Sequence, residues 1–166
     1  MAEFHTDFGS LDRYEKGHIE IIADEPKYYT FSNVFEVASK SRPYEKVAVA
    51  KNLEFVIEAI RAEGISPWMT ASHDEFVVVM DGEVTIELVQ LDQADQMAPA
   101  SKDGTVLVPG TPHGRRMGRI TLRKGHQALL PANAAYRFLA EEPAVMIQQT
   151  IHGGLTVEKW AEICLH

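Results

Sequence analysis

Glu75-Phe76-Val77-Val78-Val79-Met80-Asp81-Gly82-Glu83-Val84-Thr85-Ile86-Glu87-Leu88 is the stretch that decides the fold class. Phe76–Met80 is apolar and β-branched, Asp81-Gly82 is a hairpin-turn dipeptide, and Val84, Ile86 and Leu88 then alternate with Thr85 and Glu87. A period of two puts one face of the second strand in a core and the other in water. Outward from this hairpin the same signals recur. Toward the C-terminus a long polar loop, Leu91 to Gly104, precedes a short strand at Val106–Val108, closed by Pro109-Gly110-Thr111-Pro112. Ile120 and Leu122 alternate with Arg119, Thr121 and Arg123, Lys124-Gly125 turns the chain, and Ala128–Leu130, Tyr136–Phe138 and Val145–Ile151 read as further strands. Gly153-Gly154 breaks the series, and Thr156 is placed to cap a terminal helix with Val157, Trp160 and Ile163 on one face.

Toward the N-terminus, the segment Val47 to Gly64 fits two templates. Leu53, Val56, Ile57 and Ile60 have helical spacing, whereas Phe55, Ile57 and Ala59 alternate as in a strand with Glu54 and Glu58 on the other face. The β pattern that follows favours the strand. Phe31, Val34 and Phe35 have the spacing of a short helical face, Ile19, Ile21 and Ile22 form a small apolar group, and the first fifteen residues read as a polar arm. The expected organisation is one domain: an arm with lead-in strands and helix at 1–63, a barrel core at 64–152, and a terminal helix at 153–166. Many short strands with frequent Gly and Pro turns predict an all-β antiparallel sandwich or small barrel.

Composition narrows the function classes. The 166 residues suit one domain, and 45% hydrophobic with 24% charged residues is ordinary for a globular chain. Sixteen Lys and Arg against twenty-four Asp and Glu give a net charge of −8, which argues against a general nucleic-acid binder. The single cysteine, Cys164, has no intrachain partner and reads as a packing residue. No apolar stretch nears the roughly 20 residues of a membrane span. The N-terminus lacks a basic start and an apolar run, so a cytoplasmic protein with no membrane contact is expected.

Two spacings carry a more specific signal. Glu75 precedes Gly82 by six intervening residues, and Gly125 precedes Pro131 by five, each flanked by strands. This pair resembles the two signature motifs of the cupin superfamily over roughly residues 64 to 150. The resemblance implies an antiparallel β-barrel or jelly roll, here with an N-terminal extension and a short C-terminal helix. In an active cupin, two histidines and the glutamate of the first motif and one histidine of the second hold a divalent metal, leaving open positions for substrate or dioxygen. In this sequence the first histidine pair falls on Met69 and Ala71, on Trp68 and Thr70, or, counted from Gly64, on Thr70 and Ser72. Pro131-Ala132-Asn133 replaces the second motif's P-x-G, its histidine position is Tyr136, and its asparagine position is Ala140. Of four ligands only Glu75 remains, so the degenerate set Met69, Ala71, Glu75 and Tyr136 is expected to hold no metal, and this chain no cofactor.

Other polar candidates are weighed beside that set. His73 precedes Glu75 by two residues, so a variant site of His73, Glu75 and Tyr136 is conceivable; the favoured alternative is a solvated histidine or one bonded to Asp74. His113, His126 and His152 sit at turns without ligand spacing. Ser66-Pro67-Trp68 lacks the context of a nucleophile loop. Arg115, Arg116, Arg119, Arg123 and Lys124 form the one basic cluster, read either as a dock for a carboxylate or acidic partner surface or, preferentially, as a solvated rim.

The stretches Asp12-Arg13-Tyr14-Glu15-Lys16-Gly17, Phe31-Ser32-Asn33-Val34-Phe35-Glu36-Val37-Ala38-Ser39-Lys40-Ser41, Ser72-His73-Asp74-Glu75-Phe76 and Trp160-Ala161-Glu162-Ile163-Cys164 extend the likeness beyond the barrel. From about residue 11 onward the chain resembles the small subunit of the bacterial two-component hydroquinone 1,2-dioxygenases. That resemblance implies an α2β2 assembly in which a larger, cupin-like catalytic subunit carries the non-haem Fe(II). It also implies ring cleavage of hydroquinone to 4-hydroxymuconic semialdehyde in aromatic degradation, for example of 4-nitrophenol, with the small subunit required but lacking a competent iron site. The expected interface is large and fairly apolar, with Tyr14, Tyr28, Tyr29, Phe31 and Trp160 as candidate anchors and ordinary core packing as the alternative for each. Two rival readings stay open: a self-sufficient cupin enzyme built on His73, Glu75 and Tyr136, and a metal-free barrel that binds an aromatic ligand.

Overall fold

The computed structural model describes residues 9–15, 20, 22–23 and 33–159. Residues 1–8, Ile19, Ile21, Tyr28, Tyr29, Phe31, Trp160, Ile163 and Cys164, which figure in the expectations above, lie outside them. Asn33 opens helix α1 (Val34–Ser39) by accepting the Phe35 N–H at 2.9 Å, which satisfies one of the first-turn amides. Strands β1 (Lys46–Asn52) and β2 (Phe55–Ile65) follow, joined through Leu53 in the left-handed region, so the ambiguous segment is a hairpin. The chain continues through β3 (Met69–Thr70), β4 (Glu75–Asp81), β5 (Glu83–Leu91), helix α2 (Ala94–Met97), β6 (Val106–Leu107), β7 (Gly114–Arg123), β8 (Gln127–Leu130), β9 (Ala134–Ile151) and β10 (Thr156–Val157).

β9 is the spine of one curled sheet. Its 18 residues pair antiparallel with β2, β3, β4 and β5. Near its start, Tyr136 lies opposite Leu88 on one side and Met69 on the other. Farther along, Gln148 lies between Glu58 of β2 and Val77 of β4. The inward row Tyr136, Phe138, Ala140 and Met146 meets Val77, Val79, Val84, Ile86, Ile60 and Leu130 in the main core. On the outer side α1 packs Val37 against Val47 and Ala59, and Phe35 and Ala38 against Val145. The expected turn at Asp81-Gly82 joins β4 to β5. Gly82 has φ +79, and a Cβ there would stand 2.6 Å from that of Ala144, so both conformation and space demand glycine.

Four expectations are corrected. Phe55 and Ile57 face outward, 43% and 37% exposed, while Glu58 is 1% exposed. The alternation of β2 is real, but the face it buries is set by the partner strands. Tyr136–Phe138 and Val145–Ile151 belong to one strand, because the exposed Glu141-Glu142-Pro143 interrupts the apolar pattern and the pairing register without ending the extended backbone. The loop from Leu91 to Gly104 contains α2. Thr156 opens no helix; with Val157 it forms β10, parallel to β1.

Glu58 accounts for the placement of β10. Its carboxylate accepts from Lys46 Nζ at 2.9 Å and from the Thr156 hydroxyl at 2.7 Å, which draws β10 onto β1. Lys46 is 3% exposed, so the pair is out of water on both sides. Breaking one partner of such a pair costs about 3–5 kcal/mol because the other charge stays buried, whereas replacing both can be nearly neutral. Lys46→Met is therefore expected to destabilise the chain by about that amount and Lys46→Met/Glu58→Met by much less. Urea unfolding of both variants checks this, and equal losses would contradict it.

Candidate functional site

The position at which a cupin barrel presents its metal is occupied here by a carboxylate wrapped in hydroxyls. Glu75 is the first residue of β4, inward-facing and 1% exposed. Its Oε1 accepts from the Thr105 hydroxyl at 2.5 Å and the Thr150 hydroxyl at 2.7 Å; its Oε2 accepts from the Tyr136 hydroxyl at 2.5 Å. Two segments supply those donors: β9 brings Tyr136 and Thr150, and the residue preceding β6 brings Thr105. Gln148 donates to the Tyr136 oxygen at 3.0 Å. Burial, then the negative charge of Glu75 and the hydrogen bond to it, push the Tyr136 hydroxyl well above its usual range. Tyr136 is thus a neutral donor and not an anionic ligand.

The variant trio of His73, Glu75 and Tyr136 is brought into one network, but not into one coordination sphere. His73 Nε2 lies 3.0 Å from the Thr150 hydroxyl, which is spent on Glu75, so His73 stands one residue removed from the carboxylate. Its expected partner Asp74 instead accepts the Ala132 N–H at 2.8 Å and tethers the loop before β9. Met69 and Ala71 are both buried, and Met69 lies directly opposite Tyr136. Of the four degenerate positions, Glu75 and Tyr136 are hydrogen-bonded and Met69 is the strand neighbour of Tyr136; a thioether, a methyl and a phenol stand at the sequence positions of the imidazoles. Among the described residues no group of three His, Cys, Asp or Glu side chains is placed to share an ion. Both oxygens of Glu75 are already filled by donors, and a divalent ion does not fit this set.

Thr105, Thr150 and Gln148 belong to no motif; the only signal in the sequence is polar residues at inward positions of β strands. Ser66 is likewise structural, accepting the Phe138 N–H at 2.9 Å and donating to the Pro67 carbonyl at 2.8 Å. His126 accepts the Arg123 N–H, and His152 pairs with Glu158 at 3.1 Å. Of the proposed anchors, Tyr14 alone is described, and it is exposed. Within the basic cluster Arg119 and Arg123 bond to Glu87 and Glu83, so it is more ordered than a solvated rim.

Tyr136→Phe strips Glu75 Oε2 of its donor and the Gln148 amide of its acceptor. A buried acceptor left unmet costs about 1–3 kcal/mol. The variant is expected to lose that much stability in urea unfolding without gaining retained Fe(II), and unchanged stability would show that the network does not hold the barrel.

No protein-family model matches the chain, and the search of curated proteins gave no match. Two solved structures are 54% identical to it. Hydroquinone 1,2-dioxygenase from Sphingomonas sp. TTNP3, with 4-hydroxybenzoate bound, superposes with a TM-score of 0.94 over 98% of this chain and 98% of that one. Hydroquinone 1,2-dioxygenase PnpCD, in complex with Cd2+ and 4-hydroxybenzonitrile, gives 0.93 over 100% and 99%. A chain of PnpCD in complex with Fe3+ matches at 14% identity with a TM-score of 0.60, over 85% of this chain and 39% of that longer one; this shows a shared fold alone. The architecture is an all-β cupin fold, and the identity over nearly the full length of two relatives shows that this chain belongs to the hydroquinone 1,2-dioxygenase family.

Proposed function

We propose that this chain is the metal-free small subunit of an Fe(II)-dependent hydroquinone 1,2-dioxygenase, acting in the cytoplasm. A longer catalytic chain carries the iron, as an α2β2 assembly, and the small chain supports it. The observation that carries this reading is the state of Glu75: the one cupin ligand left in the sequence has both oxygens occupied by hydroxyl donors. A second support comes from the family. The complexes named hydroquinone 1,2-dioxygenase include chains of two lengths, one matched by this chain end to end and another of which it covers 38–39%. Those complexes are named with Fe3+ or Cd2+ and with para-substituted phenols such as 4-nitrophenol.

Iron supplies the activation of dioxygen and substrate in such an enzyme, and both oxygen atoms enter the ring as it opens to 4-hydroxymuconic semialdehyde. Ring cleavage on a metal requires substrate and O2 to be held together away from water. What this chain contributes is a rigid barrel, closed inside by Tyr136, Phe138, Ile86 and Met146, that buttresses its partner. The network around Glu75 fixes that barrel without a metal.

The test is the iron content of the chain purified alone, anaerobically, with excess Fe(II), followed by addition of the longer chain. The expected result is no retained iron and no hydroquinone turnover alone, with turnover on mixing. Near-stoichiometric iron in the isolated chain would overturn the proposal and return the site of His73, Glu75 and Tyr136 to consideration.

A further inference from the structure

Charge is segregated along this chain. Residues 104–140 contain no Asp or Glu and six Lys or Arg, although the whole chain carries −8. Four of the six, Arg115, Arg116, Arg119 and Arg123, lie on β7. Among the described residues β7 pairs with β5 alone, so its other edge presents unpaired backbone groups, and every residue of it except Leu122 is exposed. Met117 and Ile120 are exposed with the rest. A ten-residue edge strand carrying apolar side chains is a template for pairing. Its arginines disfavour a second copy of itself in the register centred on Arg119, where antiparallel self-pairing would set Arg119 against Arg119 and Arg115 against Arg123.

Beside this edge lies a cleft of about 490 Å³, walled by Trp68, Pro112, Arg116, Arg119 and Arg137. Glu87 stands within it and clamps two of the arginines, bonding Arg119 through Oε1 and Arg137 through Oε2 at 2.7 Å. Those two guanidinium groups hold the Glu87 carboxyl below the usual carboxylate range, so the clamp stays ionised at neutral pH. Arg137 is also held over the Trp68 ring, 4.7 Å from its centroid. Arg116 has no side-chain hydrogen bond or ion pair among the described residues, which leaves the cleft with more positive than negative charge. Gly118 lies on the same lining, and a Cβ placed there would meet nothing within 4 Å, so the backbone is open to an approaching group. Two pre-oriented guanidinium groups and a third with no partner suit carboxylates, which guanidinium binds through paired hydrogen bonds.

We infer that this cleft and the free edge of β7 are the dock for an acidic segment of the longer catalytic chain, whose carboxylates enter between Arg116, Arg119 and Arg137. The inference rests on the two-chain function proposed above and names the surface through which the chains meet.

The experiment uses the two chains co-expressed as a complex, with association measured by sedimentation across a range of NaCl concentrations. Three variants of this chain are compared with wild type: Arg116→Glu; Gly118→Val, which plugs the cleft without changing charge; and Lys102→Glu, a loop control with the same charge change as the first. Arg116→Glu is expected to weaken association by about 10-fold or more at low salt and to flatten its salt dependence. Gly118→Val is expected to weaken it at every salt concentration, and Lys102→Glu to leave it unchanged. If wild-type chains associate and Arg116→Glu behaves like Lys102→Glu, the cleft is not the dock while the two-chain function stands. If wild-type chains do not associate at all, both fall. If the chain dimerises alone and Arg116→Glu abolishes that, the occupant is a second copy and the inference is overturned.

Discussion

The carboxylate of Glu75 is buried with no cation beside it among the described residues, and the inside of the barrel is arranged around that fact. An ionised group out of water is costly unless its lone pairs are met, and hydrogen bonds to a charged acceptor are the strong kind. Here the donors come from residues far apart in sequence. Tyr136 and Thr150 are 14 positions apart on β9, and Thr105 precedes β6, so the start of β4 is tied to both ends of the spine strand and to the strand that pairs β3. A shift of β9 by one residue would turn Tyr136 and Thr150 to the outer face and leave the carboxylate bare. Register and charge satisfaction are therefore one constraint.

The second buried charge follows the same logic on the other flank. Glu58 takes its donors from Lys46 and Thr156, and Gln148 lies across the strand from it while its amide reaches the Tyr136 oxygen. Polar groups thus run across the inner face from β10 to β4, between apolar layers above and below. The Gln148 Oε1 and His73 Nδ1 are buried without a hydrogen-bond partner, the two places among the described network residues where satisfaction is incomplete. Packing around Phe138, Ile86 and Met146 carries the stability against which those omissions are set.

How far the sequence discloses this depends on whether a feature is local. The β4 turn β5 hairpin is legible because alternation and an Asp-Gly turn are properties of neighbouring residues, and Val84, Ile86 and Leu88 are indeed buried. The two cupin spacings find Glu75 and Tyr136, which meet at 2.5 Å across 61 positions. Other features answer to distant partners. Which face of β2 is buried depends on β1, β9 and α1, so Phe55 and Ile57 end in solvent while Glu58 is enclosed. Thr156 looks like a helix cap because its hydroxyl is a good acceptor for backbone amides; here that oxygen accepts the Gly153 N–H while its proton goes to Glu58. Thr105, Thr150 and Gln148 carry no signal in isolation, since a polar residue on a strand ordinarily faces water.

Inside the barrel the Glu75 carboxylate is spent on hydroxyl donors, and the outer surface is where the chain's cations are grouped. Residues 104–140 carry six Lys or Arg and no carboxylate, four of the six on the exposed β7, against an acidic remainder. Among the described residues Glu87 is the only carboxylate lining the cleft, and it neutralises one charge while orienting two. Were the arginines there merely to keep the β7 edge soluble, loose side chains would serve, and the entropy lost in clamping Arg119 and Arg137 would go unreturned. Fixing guanidinium groups in advance lowers the cost of ordering them when a carboxylate arrives. Pre-organisation outside and saturation inside are thus two results of the same rule, that each buried or clamped carboxylate is met by donors from distant strands.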